Sequence, residues 1–299
     1  MPVISPLNVA ALQLRCTDQR DANWARIELK LKDAAAAKVQ LVVLGELYNG
    51  HYFCQEEHVR HFDRAESVPG PTTEFLSALA KTYGLVIVGS VFERRAAGLY
   101  HNTAVVLDCD GSLAGIYRKM HIPDDPGYFE KYYFTPGDLG FKTISTSLGR
   151  LGVLVCWDQW YPEAARLMAL DGAQLLAYPT AIGGDPRDSA DEQQRQYHAW
   201  HSIQRSHAIA NGIPVISSNR WGFESLPDTH TPETGIQFWG GSFICDSFGH
   251  TLAQAPADAD SLLTATLDLG DSETTRRTWP FLRDRRIDAY HDLLKRYKD

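Results

Sequence analysis

Short apolar runs rich in Val, Leu and Ile alternate along the whole chain with amphipathic stretches, the pattern of an α/β protein whose sheets are covered by helices. The runs that read as strands are 8–14, 40–44, 85–92, 103–107, 113–118, 151–155, 174–178, 215–218, 241–245 and 262–268. One small sheet cannot hold them all. Helices are predicted where an end signal joins a helical period. Ser189 to Glu192 reads as a capping box, the apolar positions Trp200, Ile203 and Ala210 follow it, and Gly212 supplies the stop. Pro162 opens a second helix that ends at Gly172, a third runs from about Thr72 to Gly84, and the Ala-rich piece from Asn23 to Lys38 is a fourth. Asp110-Gly111 between two alternating runs marks a hairpin and Asp246 to Gly249 a looser one, so the sheets are expected to be mixed. No linker interrupts the pattern, and residues 1–299 read as a single domain. The two halves share a loose strand–helix–strand rhythm, too weak to divide the chain.

Composition narrows the function. The 299 residues carry 29 Lys plus Arg against 37 Asp plus Glu, a formal net charge of -8. Nucleic acid and anionic membranes are therefore not expected partners, because phosphate binding needs a basic face to displace counterions. No run approaches the roughly 18 to 20 apolar residues that cross a bilayer, and the start, Met1-Pro-Val-Ile-Ser-Pro6, lacks the cationic and apolar segments of an export signal. Five cysteines (Cys16, Cys54, Cys109, Cys156, Cys245) are odd in number, scattered and never in a Cys-x-x-Cys arrangement, which argues against a disulfide framework and a zinc knuckle. The expected home is the reducing cytoplasm, with thiols available for chemistry.

Several enzyme classes fail on motifs. There is no Gly-x-Ser-x-Gly elbow, no Walker phosphate loop and no spaced-glycine dinucleotide fingerprint. His198, His201 and His207 share part of a helix face, but no His-Glu-x-x-His accompanies them. Polar surface and interface histidines are the expected reading, and no metal is expected. What remains is a pair of apolar runs that end alike: Leu41-Val-Val-Leu-Gly45 delivers Glu46, and Leu151-Gly-Val-Leu-Val155 delivers Cys156. The carboxyl ends of strands are where α/β folds open their ligand crevices. A third segment, Gly115-Ile-Tyr-Arg-Lys-Met-His-Ile-Pro123, alternates like a strand and runs into a loop with Lys119 near its end. Each has a plain structural explanation alone: an inert core thiol, a solvated or salt-bridged charge. Together they form a complete set for acyl transfer at a carbon–nitrogen bond. A thiol with a free pKa of about 8.5 needs a base to become a nucleophile, and the charge that develops on an attacked carbonyl needs a fixed donor. Glu46 is the candidate base, Lys119 the oxyanion donor and Cys156 the nucleophile. The sharp bend through Trp157 to Pro162 frees the Trp157 amide as a second donor.

These three segments resemble the Glu-Lys-Cys signatures of the nitrilase superfamily of carbon–nitrogen hydrolases, and the resemblance runs from Asn8 to Arg283-Asp-Arg-Arg-Ile-Asp-Ala-Tyr290. Within it, Tyr52-Phe-Cys-Gln55, Lys119-Met-His-Ile-Pro-Asp-Asp-Pro-Gly-Tyr-Phe-Glu-Lys-Tyr-Tyr-Phe-Thr-Pro-Gly-Asp138 and Tyr178-Pro-Thr-Ala-Ile-Gly183 are similar to the members that act on N-carbamoylputrescine. The segment Gly45-Glu-Leu-Tyr-Asn-Gly-His51 matches the family least well, so the pocket near the base is expected to differ in detail. The resemblance implies a four-layer αββα sandwich of mixed sheets, subunits pairing into a homodimer or higher homo-oligomer through helices, and no cofactor. It also implies a second carboxylate at Glu130, orienting Lys119 and the substrate nitrogen.

The expected reaction is hydrolysis of N-carbamoylputrescine to putrescine, carbon dioxide and ammonia through a cysteine thioester, a step of polyamine biosynthesis. A four-carbon chain ending in an ammonium needs an apolar channel with a carboxylate at its far end. Tyr52, Tyr128, Trp157 and Trp160 are the candidates for the channel, and Asp185 for the anion, with Asp124 and Asp125 as rivals. The alternative enzyme reading is an amidase of the β-ureidopropionase or ω-amidase kind, acting on a substrate that carries a carboxylate, for which Arg187 is the available clamp. A third reading is a retired homologue that only binds or scaffolds.

Overall fold

Successive side chains of Leu7–Gln13 and Leu41–Leu44 enter two different cores, as the two-residue period of a strand requires. Val9, Ala11, Leu41 and Val43 join a core between two sheets, whereas Ala10, Leu12, Val42 and Leu44 join one beneath helices. Covered on both faces, such strands read as unbroken apolar runs. Burying each Val or Leu contributes about 1.5–3 kcal/mol, and a charge at Val43 would break both the run and the sheet-to-sheet packing.

The computed structural model describes residues 6–225 and 234–298. In chain order the strands are β1 (Leu7–Gln13), β2 (Leu41–Leu44), β3 (Val86–Ala96), β4 (Leu99–Leu107), β5 (Leu113–Arg118), β6 (Ile144–Thr146), β7 (Gly149–Val153) and β8 (Leu175–Pro179). They continue with β9 (Gly183–Gly184), β10 (Val215–Ser218), β11 (Trp221–Ser225), β12 (Gly235–Trp239), β13 (Phe243–Cys245), β14 (Thr251–Gln254) and β15 (Ser261–Leu267). The helices are α1 (Arg20–Ala36), α2 (Pro71–Tyr83), α3 (Glu130–Tyr133), α4 (Pro162–Leu170), α5 (Ala190–Asn211) and α6 (Leu269–Thr278).

One sheet has the order β15-β1-β2-β3-β4-β5 and the other β14-β13-β10-β8-β7-β6. In each, three central parallel strands carry one antiparallel strand on one side and two on the other. The weak rhythm shared by the halves is thus a repeated topology. Helices α1 and α2 pack on the first sheet through Ile27, Leu31, Leu76 and Leu79, and α4 and α5 cover the second through Ala165, Met168 and Ala208. The expected four-layer α/β sandwich with mixed sheets is the observed one.

All ten predicted strands and all four predicted helices are present, 113–118 and 215–218 with the predicted bounds and the others with shifted ends. The β3–β4 hairpin is longer than predicted, because its charged outer part is held by cross-strand polar pairs: Thr103 Oγ1 donates to Glu93 Oε2 at 2.6 Å. Ser189 does cap α5, accepting from the Glu192 amide at 3.2 Å, but the reciprocal half of the capping box is missing because the Glu192 carboxylate holds Arg195 and Gln196 instead. Hydrophobic patterning did not reveal a small third sheet, β11-β12-β9. Gly183 lets its backbone approach β12 so closely that a Cβ would lie 2.2 Å from the Gln237 carbonyl oxygen. Among the described residues no helix is long and apolar enough to cross a membrane.

Candidate active site

Cys156 follows β7 and begins a single 3-10 turn, Cys156–Trp160. Its φ of 41° is left-handed, a conformation that costs a non-glycine residue on the order of 1–3 kcal/mol and persists only when its surroundings impose it. Asp158 supplies much of that constraint. Its buried carboxylate accepts from the Val155 amide at 2.9 Å, Tyr117 hydroxyl at 2.8 Å, and His121 amide and Nδ1 at 3.0 and 2.7 Å. His121 lies two residues after Lys119 and Asp158 two after Cys156, so this contact ties the lysine's loop to the turn of the thiol. From α5, His207 Nε2 lies 2.8 Å from the Gln159 carbonyl, and Trp200 Nε1 donates to Gln159 Oε1 at 2.8 Å. His201 and His207 thus have structural partners: His201 Nε2 lies 3.1 Å from the Gly241 carbonyl, and burial lowers the pKa of both rings.

Glu46 leaves the end of β2, Lys119 the end of β5, and Glu130 opens α3; all three are buried. Lys119 Nζ donates to Glu46 Oε1 at 2.7 Å and to Glu130 Oε1 and Oε2 at 2.9 and 2.7 Å. Asn102 Nδ2 also donates to Glu46 Oε1 at 2.7 Å, and the Tyr52 hydroxyl to Glu130 Oε1 at 2.6 Å. Glu46 Oε2 is buried and has no hydrogen-bond partner among the described residues. Among the described residues it is the one carboxylate oxygen of this cluster without a donor, since both Glu130 oxygens meet Lys119.

The thiol lies within the same field. Burial and then the Glu46 charge push the Cys156 pKa well above its ordinary value, with Lys119 opposing. The resting thiol is therefore protonated, and its sulfur lies 3.6 Å from the Ala181 carbonyl as a donor. Burial alone would discharge Lys119, but the charges of Glu130 and then Glu46 reverse that and hold it charged. Burial raises Glu130 to about 7, with Lys119 opposing and Glu46 adding to the rise. Two carboxylates thus share one cation, and Glu130 is the one displaced toward neutrality. The Trp157 amide, second in its turn, has no intrahelical acceptor.

A match to the carbon-nitrogen hydrolase family model spans residues 8–277, and the segments that supply Glu46, Lys119, Glu130 and Cys156 all fall inside it. The chain belongs to the carbon-nitrogen hydrolases. It is an amidohydrolase acting on carbon–nitrogen bonds. Among its relatives, N-carbamoylputrescine amidase of Solanum lycopersicum is 43% identical over 289 residues, covering 96% of this chain and 95% of that protein. Citrullinase of Francisella tularensis subsp. tularensis is 39% identical over 296 residues, covering 97% and 99%. The crystal structure of a carbon-nitrogen hydrolase from Helicobacter pylori G27 superposes with a TM-score of 0.95 at 52% identity, covering 98% of this chain and 100% of that one.

The hydrolase has a cavity of about 610 Å³ that reaches Cys156 and is lined by Tyr128, Trp157, Trp160, Ile182 and Trp239, with Asp125, Asp185, Asp188, Arg195 and Gln196 also on its walls. A larger cleft of about 740 Å³ is bordered by Leu47, Asn49 and Gly50 but contains none of the four site residues. Of the aromatic residues expected to form the channel, Tyr128, Trp157 and Trp160 line the cavity. The Tyr128 hydroxyl donates to the Gly183 carbonyl at 3.0 Å and accepts from its amide at 2.9 Å. Tyr52 is not in the lining. Its ring is packed against Tyr128 and Phe238, and its hydroxyl is given to Glu130, so its position is behind the charged cluster. Asp185 lines the cavity but is held by Arg187 at 2.5–3.1 Å, and that guanidinium keeps its carboxyl down at about 2. Asp125 lines the cavity and Asp124 does not. The sequence reading missed Asn102, Asp158, Asp188 and Arg195. No period or spacing distinguishes an Asn on a strand when its partner lies tens of residues away, or an Arg on an amphipathic helix when the cavity it lines is built from remote segments.

Proposed function

We propose that this hydrolase removes the carbamoyl group from a linear ureido amine, with N-carbamoylputrescine as its substrate. The observation that carries the reading is an aromatic-lined cavity that reaches the thiol and whose charged lining is net acidic. Of that lining, Asp185 is neutralised by Arg187 and Arg195 is held by Glu192 at 2.7 Å, whereas Asp125 and Asp188 have no ion pair among the described residues. An ammonium is the complementary group. Similarity to an enzyme named N-carbamoylputrescine amidase supports the same choice.

In the proposed mechanism Cys156 Sγ attacks the ureido carbon while its proton passes to Glu46. The oxyanion is held by Lys119 and the Trp157 amide, and Glu130 fixes Lys119. The tetrahedral adduct breaks its bond to the terminal nitrogen, which leaves as ammonia with the proton from Glu46. A carbamoyl thioester remains. Water, deprotonated by Glu46, attacks it, the thiol is restored, and the released carbamic acid loses carbon dioxide to give the amine. The desolvated donors act where water cannot screen them.

A second reading has its own support: Arg195 gives the wall a cation for a substrate carboxylate, and a relative named citrullinase is 39% identical. Ammonia release from N-carbamoylputrescine, citrulline and N-carbamoyl-β-alanine at matched concentrations tests the choice. The first substrate is expected to lead in kcat/KM by at least about tenfold, the value of one charge match lost. A lead by citrulline overturns the reading in favour of the second, and a lead by N-carbamoyl-β-alanine overturns both.

The pairing of subunits is proposed for the outer face of α4 and α5, where Leu167, Leu170 and Ile209 are exposed. A sedimentation mass of two or more chains that falls to one in Leu170→Glu supports it. A monomeric parent, or a mass unmoved by the substitution, overturns it.

A further inference from the structure

The reaction as drawn leaves unused the most deeply buried guanidinium of the fold. Arg220 sits between β10 and β11, 2% exposed, beside the small third sheet that hydrophobic patterning does not reveal. Its Nη2 donates to the main-chain carbonyls of Glu46 at 2.7 Å and Leu47 at 2.9 Å, and its Nη1 to the carbonyl of Gly50 at 3.2 Å. Its counter-ion is Glu224 on β11, 1% exposed and 2.9 Å away. Glu224 Oε2 in turn accepts the Tyr52 amide at 2.6 Å.

We propose that Arg220 and Glu224 are positioning residues: a buried ion pair that grips both ends of the 46–52 segment and so sets both carboxylates around Lys119. The proposal rests on Glu46 being the proton acceptor. At one end of the segment is that base; at the other is Tyr52, whose hydroxyl holds Glu130. Between them Leu47 adopts a left-handed φ of 48°, a strained conformation that the guanidinium fork and the Ser90 hydroxyl, 3.1 Å from the Leu47 amide, hold in place. A planar fork can satisfy several carbonyls at fixed angles, as an ammonium on a flexible stem cannot. The arrangement also explains why a charged pair is kept in a place where apolar residues would pack at less desolvation cost. Neither residue lines the cavity that reaches the thiol, so substrate affinity does not depend on them directly.

The test separates grip from mere fold support. In a Cys109→Ser parent, which removes the half-exposed competing thiol, the double variant Arg220→Met with Glu224→Met replaces the ion pair by apolar side chains of similar length. Such replacement is commonly neutral or stabilising, but it cannot hold the three carbonyls. The expected result is a folded protein whose kcat is lower by about 10- to 100-fold, the cost of misplacing a reacting group by an ångström, with KM within about twofold. The pH dependence of Cys156 labelling by iodoacetamide, which needs no substrate, is expected to shift in the same variant. Arg220→Lys, which keeps the charge beside Glu224 but cannot hold the three carbonyls at once, is read identically if the double variant does not fold. Unchanged kcat and an unchanged labelling profile in a folded variant overturn the proposal. A Glu46→Gln control that labels and turns over like the parent instead removes the base on which the proposal rests.

Discussion

Arg118 and Lys119 are consecutive in the chain, each is buried, and each meets two carboxylates, yet the two clusters behave differently. Arg118 binds Glu93 through Nε and Nη2 at 2.8 and 2.6 Å and Asp138 through Nη1 at 3.0 Å, and Thr103 completes the Glu93 shell. Burial would raise the Glu93 pKa, but the hydrogen bonds from Arg118 and Thr103 outweigh it and hold the carboxyl below its ordinary range. This cluster is closed. Across the strand's other face, Lys119 leaves Glu46 Oε2 without a partner and Glu130 raised, so that cluster keeps an unfilled acceptor and a proton that moves near neutrality. Saturated pairing stabilises, and deliberate incompleteness beside a thiol provides chemistry.

The largest expected effect tests whether the open cluster acts through the thiol. Cys156→Ser should lose at least about 10⁴-fold in kcat without unfolding, as removal of a nucleophile does; ammonia release near the parent rate would remove Cys156 from the mechanism. Next, the neighbouring cations can be exchanged one at a time. Lys119→Met is expected to cost about 10²- to 10³-fold in kcat, the value of an oxyanion donor. Arg118→Met is expected to cost about 3 kcal/mol of stability, the value of breaking a buried pair, with kcat of the folded protein within about tenfold. Equal effects on both measurements would erase the distinction between the clusters.

Titration sharpens it further. The folded pKa of Glu93 lies below its unfolded value, so its contribution to stability is present above the ordinary carboxylate pKa and is lost as pH falls through the folded one. Glu130 is displaced the opposite way. Protonation as pH falls through about 7 loosens its hold on Lys119, and kcat should decline on that limb. Glu130→Gln is expected to flatten this limb while lowering kcat by about tenfold or more, and a limb unchanged in the variant would assign it to another group. The smallest effect belongs to the cavity wall: Asp188→Asn should raise KM for N-carbamoylputrescine about threefold, with little change for the uncharged n-butylurea.

Much of the site could be read from one dimension. Two unbroken apolar runs had to be strands buried on both faces, and a strand's reactive residue must emerge at its end, which located Glu46 and Cys156. Alternation along 115–118 then brought Lys119 to the loop. Family likeness, more than pattern, singled out Glu130, because an acid in a Pro- and Gly-rich loop has no period to interpret. The sequence alone determined which side chains are chemically able, since apolar periodicity is a local property and survives without a partner. Tertiary structure decided which of them meet. It put Tyr52 behind Glu130 instead of in the cavity, gave Asp185 to Arg187, and set Arg220 against the Glu46 main chain from 174 positions away. Hydrogen bonds between buried polar groups depend on distances of a fraction of an ångström across segments remote in the chain, and nothing in the order of residues encodes those distances until the sheets have packed.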